Sequence, residues 1–340
     1  MNKLIKKKTF IGVDISKDDL DLSLLEEKTY GSFTDKKIKN SIKGFDSILI
    51  WLKKQNKKLE ECLFCMEHTG TYGLLFFAWL SQMGVDYCVE PGMQIKRSMG
   101  MTRGKNDKID ARRIAEYAFT NQTKLKLFTM PSTLIVQIKQ LLTYREQNIR
   151  IRSSLKNSLK NHRQYQKISG LNKITEQINT QIEQQNLIVQ DIEKQIVERI
   201  ENDPQMKKNF ELLTSIIGIG LIITAFMLVT TNNFSSFENG RKYACYAGIA
   251  PFEYASGSSI RGKTRVSHLG NKTIKTLLSN GANSAAKWDP QLRTYYKRKE
   301  AGGKDHKLII NSISCKLVNR AFAVIKRQTP YTNIYEHNFA

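Results

Sequence analysis

Phe10-Ile11-Gly12-Val13-Asp14-Ile15-Ser16-Lys17 is the stretch from which the fold is read. Thr9–Ile15 is short, β-branched and apolar apart from one acid, which predicts a buried strand. Leu20–Leu25 alternates, predicting a second strand with Ser16–Asp19 as the turn between them. The apolar runs Cys62–Met66 and Val85–Val89 predict further buried strands. Helical patterns fill the gaps at Ile42–Lys53 and Leu74–Met83. Strands mixed with helices imply an α/β sheet domain over residues 1–130.

Beyond Pro131 the texture changes. Between Pro131 and Pro204 there is no other proline and a single glycine, Gly170. Ile174, Ile178 and Ile182 recur every fourth residue, and Ile188, Ile192, Ile196 and Ile200 repeat the spacing out of phase. Such stripes predict long amphipathic helices over 131–205, a hairpin broken near Gly170 and paired as a coiled coil. Residues 206–340 read as a mainly helical domain with a loop-rich centre at Phe252–Asn271.

The chain has 340 residues, 40% of them apolar and 25% charged, values that exclude wholesale disorder and collagen-like structure. Lys and Arg total 54 against 31 Asp and Glu, a net charge of +23. All three segments are basic, which points to a polyanionic partner, either nucleic acid or an anionic membrane face. The basic Met1–Lys8 is followed only by Thr9–Val13 before Asp14, too short for a signal peptide. Leu212–Val229 lacks charge and nears the lower limit of a membrane span, but Gly218-Ile219-Gly220 reads as a turn between two shorter helices. No membrane partner is therefore expected. Five scattered cysteines suit a reduced, cytoplasmic protein, which a nucleic-acid partner would make nucleoid-associated. Cys62-x-x-Cys65 lacks a second ligand pair and reads as core packing.

Four acids sit where a metal site would want them. Asp14 closes the first apolar run and Glu67 closes Cys62–Met66. Asp107 and Asp110 lie three apart, on one face if the segment is helical. Each alone reads as a solvated surface acid. Converging, they would repel one another without a cation, and such hard oxygen ligands suit Mg²⁺ or Mn²⁺. Paired ions about 3.5–4 Å apart serve in-line phosphoryl chemistry.

Three further stretches bear on nucleic acid. Lys139–Lys167 carries Arg145, Arg150, Arg152, Lys156, Lys160 and Arg163 with only Glu146 opposed, a solvated helix face or a phosphate track. Leu213–Ala225, with Gly218 and Gly220, resembles a helix-hairpin-helix, which offers backbone N–H groups to phosphates. Ile217 stands where many such motifs have proline. Ala255-Ser256-Gly257-Ser258-Ser259-Ile260-Arg261-Gly262-Lys263 reads by composition as a flexible linker. Its glycines also admit a phosphate, which Arg261, Lys263 and Arg265 would neutralise.

Phe10–Lys17 resembles the opening of the insertion-sequence-110 transposases, whose first domain resembles Holliday-junction resolvases. Glu67-His68-Thr69-Gly70-Thr71-Tyr72 resembles their second acidic motif. Lys105-Asn106-Asp107-Lys108-Ile109-Asp110-Ala111 resembles the third, where threonine is commoner than Asn106. The resemblance runs from about Phe10 to about Pro330 in the family's domain order. It implies a ribonuclease-H-like first domain whose four acids map onto Asp14, Glu67, Asp107 and Asp110. It implies a nucleophilic serine in a Ser-Gly context after a Gly-x-x-Pro segment, here Gly248–Pro251. Ser256 fits that match, with Ser258 and Ser259 as alternatives. Val266-Ser267-His268-Leu269-Gly270-Asn271-Lys272 resembles a further family segment.

The family implies donor and target DNA, a structured noncoding guide RNA (a bridge RNA) and a homo-oligomer, dimer or tetramer. With acids and serine on different domains, a site shared between protomers is expected. The resulting expectation is an RNA-guided DNA recombinase that cuts and rejoins strands through Ser256, assisted by Mg²⁺. Two other readings stay open: a metal-dependent junction nuclease without a covalent intermediate, and a non-catalytic nucleic-acid-binding protein.

Overall fold

Strand β1 (Thr9–Ile15) is buried on both faces, as a central strand of Phe, Ile and Val demands. The computed structural model describes residues 7–68, 70–98, 106–256 and 260–332. Two compact units divide the chain, Met1–Met130 and Pro131–Ala340. In the first, β1 is joined by β2 (Asp19–Glu26), β3 (Phe33–Lys39), β4 (Cys62–Glu67) and β5 (Tyr87–Glu90), in the order β3-β2-β1-β4-β5. Strands β1, β2 and β3 pair antiparallel, while β4 and β5 continue parallel to β1. This mixed sheet is the α/β architecture expected from the alternating patterns, in the ribonuclease-H-like order that the family resemblance implied. The β1–β2 turn is tied by Ser16, whose Oγ donates to the Asp19 carbonyl at 2.8 Å.

Helices α1 (Ile42–Lys54) and α2 (Leu74–Gln82) cover one face of the sheet. Their Phe45, Ile48, Trp51, Phe76 and Trp79 pack with Ile11, Val13, Leu22 and Phe64. Helices α3 (Gly92–Ser98) and α4 (Asp107–Asn121) cover the other, where Ile95, Ile114 and Tyr117 meet Phe10, Leu63, Cys65 and Cys88. Cys62 and Cys65 thus join the cores on opposite faces of β4. Burial pushes the Cys62 thiol up to about 12, as befits an inert core residue.

The second unit begins with two long helices, α5 (Thr133–Ser169) and α6 (Asn172–Glu201). Gly170 turns the chain between them with a left-handed φ of 69°. They run antiparallel: Arg145 meets Glu193, Arg152 meets Asn186, and Leu159 packs with Ile178 and Ile182. There follow α7 (Pro204–Thr214), α8 (Leu221–Thr230), α9 (Gly240–Tyr246), β6 (Pro251–Ser256), β7 (Ile260–Val266), α10 (Lys272–Trp288), α11 (Pro290–Ala301) and α12 (His306–Arg327). The uncharged Leu212–Val229 is accordingly split, with α7 ending at Thr214 and α8 starting at Leu221. Among the described residues α12 is the one helix long and apolar enough to cross a membrane. Its Ile309, Ile313, Leu317 and Ala321 are instead buried in the core of this unit.

The loop-rich centre expected at Phe252–Asn271 is corrected: β6 and β7 form an antiparallel hairpin there. Phe252, Tyr254, Ile260, Thr264 and Val266 favour strands, and the Gly and Ser residues between them obscured that signal.

The tightest junction in the first unit lies at Gly12. A Cβ built there would stand 2.0 Å from the Ala111 carbonyl oxygen and 2.3 Å from the Ala115 nitrogen. Both are backbone atoms of α4, so neither can swing aside. Gly12→Ala is expected to destabilise the first unit by about 3 kcal/mol or more. A urea melt reads this directly, and an unchanged midpoint would contradict the packing.

Candidate active site

The Gly12 contact sets α4 across the end of β1. Asn106 caps the helix, its side chain accepting from Lys108 N at 3.0 Å. Asp107 and Asp110 occupy the first turn, where the helix dipole favours negative charge. Asp14 lies near the end of β1 and Glu67 ends β4, the parallel neighbour. Glu67 lies close over Gly92, where a Cβ would stand 1.7 Å from its Oε1.

A second fastening holds the same helix. Asp35 of β3 accepts from Arg112 Nε at 3.0 Å and Nη2 at 2.5 Å. Lys108 Nζ stands 3.1 Å from Asp35, and Ser23 Oγ donates to it at 2.9 Å. The Arg112 guanidinium also covers the Phe33 ring at 5.3 Å.

The electrostatic consequence falls on Asp14. Its pKa rises from 3.8 to about 6, first through burial and then through the charges of Asp107, Asp110, Glu67 and Asp21. The other three acids chosen from the sequence, Asp107, Asp110 and Glu67, therefore all act on Asp14. Among the described residues, no three side chains stand close enough to hold one metal ion. Asp110 Oδ1 is engaged by Arg113 Nη1 at 2.9 Å. The donor set still fits Mg²⁺ or Mn²⁺: carboxylates only, with concentrated negative charge that a divalent cation would relieve. An ion would have to draw these carboxylates closer together than they stand, and Asp110 keeps its second oxygen for it.

Sequence reading missed Glu90. It ends β5 in register with Glu67, and burial raises its carboxyl above the ordinary range. The charge of Glu90 helps push the nearby Tyr117 hydroxyl, chiefly raised by burial, up to about 12. The signal was available, since Glu90 closes an apolar run just as Asp14 and Glu67 do.

Ser256 is the last residue of β6 and pairs with Ile260 across the hairpin. Ser258 and Ser259 lie outside the described residues, as do the side chains of Ser256, Arg261 and Lys263. Arg265 is exposed on β7. The base of this hairpin is pinched shut. A Cβ on Gly270 would stand 2.2 Å from the Gly248 Cα, and Asn271 N donates to the Tyr246 carbonyl at 2.8 Å.

The residues expected to meet nucleic acid divide. Arg145 pairs with Glu193 at 2.7 Å and Arg152 with Asn186 at 2.9 Å, so both are used within the hairpin. Arg150 is exposed but pairs with Glu146 at 2.5 Å, while Lys156, Lys160 and Arg163 are exposed. Gly218 packs on α10, where its Cβ would stand 2.5 Å from the Gly281 carbonyl oxygen. Gly220 is exposed and stands at the N-cap of α8.

A family model of the DEDD type, described as Transposase, matches residues 11–164. A second, described as Transposase IS116/IS110/IS902 family, matches residues 210–297. The chain belongs to the IS110 family of transposases, enzymes of DNA recombination. It is 27% identical over 329 residues to the pilin gene-inverting protein of Moraxella bovis, covering 95% of this chain and 98% of that one. The Moraxella lacunata protein of the same name is 26% identical over the same shares. The 43.6 kDa protein of insertion element IS110 from Streptomyces coelicolor is 34% identical over 120 residues, 35% of this chain and 29% of that one. Among solved structures, Thermus thermophilus RuvC aligns at 14% identity and a TM-score of 0.27, covering 35% of this chain and 99% of RuvC.

The raised Asp14 pKa has a stability consequence. The folded state holds the proton more tightly than the unfolded state, so wild-type stability falls as pH rises from about 4 to about 6. With divalent cations chelated, Asp14→Asn is expected to stabilise the fold near pH 7 by on the order of 1–2 kcal/mol, after allowance for solvent screening. Below about pH 4 the gain vanishes. Urea melts at both pH values check this, and destabilisation of the variant at neutral pH would contradict it.

Proposed function

We propose that the chain is an RNA-guided DNA recombinase of an insertion sequence, acting through Ser256 and a metal-holding acidic face. The observation that carries this reading is the placing of Asp14 and Glu67 at the ends of adjacent parallel strands beneath the first turn of α4, so that the charges of Asp107, Asp110 and Glu67 all bear on Asp14. Ser256 Oγ attacks a DNA phosphorus; an O–P bond forms as the P–O bond to the departing strand breaks. The serine proton ends on the departing oxygen. Attack on the phosphoserine by a strand-end hydroxyl reverses the step and reseals DNA without an outside energy source. Asp14, Glu67, Asp107 and Asp110 would hold Mg²⁺ or Mn²⁺, which when bound supply positive charge against the phosphate in its transition state. The gene-inverting name of the Moraxella relatives favours exchange of strands over simple cutting.

Donor and target DNA are the substrates, and a structured guide RNA selects them by base pairing. A net charge of +23 spread along the chain suits a protein that reads backbone and shape. The working form is a homo-oligomer, dimer or tetramer.

The test uses end-labelled DNA with guide RNA and Mg²⁺ on a denaturing gel. A protein–DNA adduct is expected that Ser256→Ala abolishes, with recombination falling about 10³-fold or more. Ser258→Ala and Ser259→Ala retain the adduct. Cleavage that persists in Ser256→Ala without any adduct would replace this reading with a metal-only nuclease.

A further inference from the structure

Three cations converge on one aromatic ring in the second unit. Lys316 Nζ lies 4.7 Å from the Tyr295 ring centroid, Arg298 Cζ 5.7 Å and Lys299 Nζ 5.8 Å. They come from two helices, Arg298 and Lys299 from α11 and Lys316 from the middle of α12. Tyr295 itself packs against the core, which fixes the centre of the cluster.

Helix polarity accounts for part of this. Arg298 and Lys299 stand in the last turn of α11, where positive charge suits the dipole. Lys316 has no such reason, being in mid-helix. Nor does a carboxylate form an ion pair with any of the three among the described residues. Arg320, one turn along α12, offers the contrast: it also covers a tyrosine, Tyr331, but buried Asp289 neutralises it at 2.7 Å. Three like charges gathered without a counter-ion form a site whose complement is an anion. Arg298 and Lys316 are exposed, so the anion can reach them from solvent.

We propose that Arg298, Lys299 and Lys316, gathered on Tyr295, dock the phosphate backbone of duplex DNA. The proposal rests on the reading of the chain as a DNA recombinase, which supplies the polyanion. The contact is with phosphates, so it positions DNA without regard to sequence.

Binding is measured on full-length Ser256→Ala protein, so strand chemistry plays no part and failure of the serine mechanism leaves the readout intact. Fluorescence anisotropy gives Kd for duplex DNA across a salt series. Arg298→Gln with Lys316→Gln is expected to weaken binding about tenfold and to flatten the salt slope by about 1–2, at roughly 0.9 for each phosphate no longer neutralised. Thermal melts confirm that these exposed changes leave the fold intact. Lys53→Gln with Lys54→Gln removes the same charge from exposed positions on α1. Equal effects of the two double variants would overturn the proposal, as would a weakening seen only with an RNA duplex of the same length.

Discussion

The first unit depends on one backbone contact. Gly12 leaves room for α4 to lie directly on β1, with Ala111 and Ala115 where a side chain would otherwise stand. A helix set further off would leave Asp107 and Asp110 remote from the strand ends. Because Gly12 and Asp14 share one face of β1, the residue that admits the helix also aims the first acid at it. The Asp35–Arg112 pair then holds the helix against sliding.

Gathering acids in this way works against folding. Burial and four neighbouring charges raise the proton affinity of Asp14, so the cluster is held in place by packing elsewhere. Phe10, Ile114 and Tyr117 beneath α4 and the aromatic layer beneath α1 and α2 supply that packing. Strain of this kind is expected where function sets the residues.

Much of this was legible in the sequence, for identifiable reasons. Strand β1 and helices α1 and α2 carry clean apolar patterns, and their bounds were read nearly to the residue. Strand β3 escaped because an edge strand needs only one apolar side; Phe33-Thr34-Asp35-Lys36-Lys37-Ile38-Lys39 looks like a polar loop. Its Asp35 was missed with it. The β6–β7 hairpin hid behind Gly and Ser, residues that composition assigns to linkers. Arg145 and Arg152 looked available for nucleic acid because a charge run does not reveal partners that lie 48 and 34 residues away across a hairpin. The four acids were found by their positions at strand ends and on one helical turn, whereas Ser256 was singled out by family resemblance.

Glycine contacts recur in the second unit. Gly218 meets Gly281 where the turn before α8 packs on α10, and Gly248 meets Gly270 at the base of the serine hairpin. Both units thus use backbone apposition to set the elements that bear their candidate functional residues. The central proposal concerns the first: that packing at Gly12 brings four acids distant in sequence near enough for a divalent cation to draw them together. Titration of the full chain with Mn²⁺, followed by electron paramagnetic resonance, tests it most directly. The account predicts Mn²⁺ binding that is weakened by amide substitution at each of Asp14, Glu67, Asp107 and Asp110. Binding left unchanged by substitutions at the helix pair would contradict it.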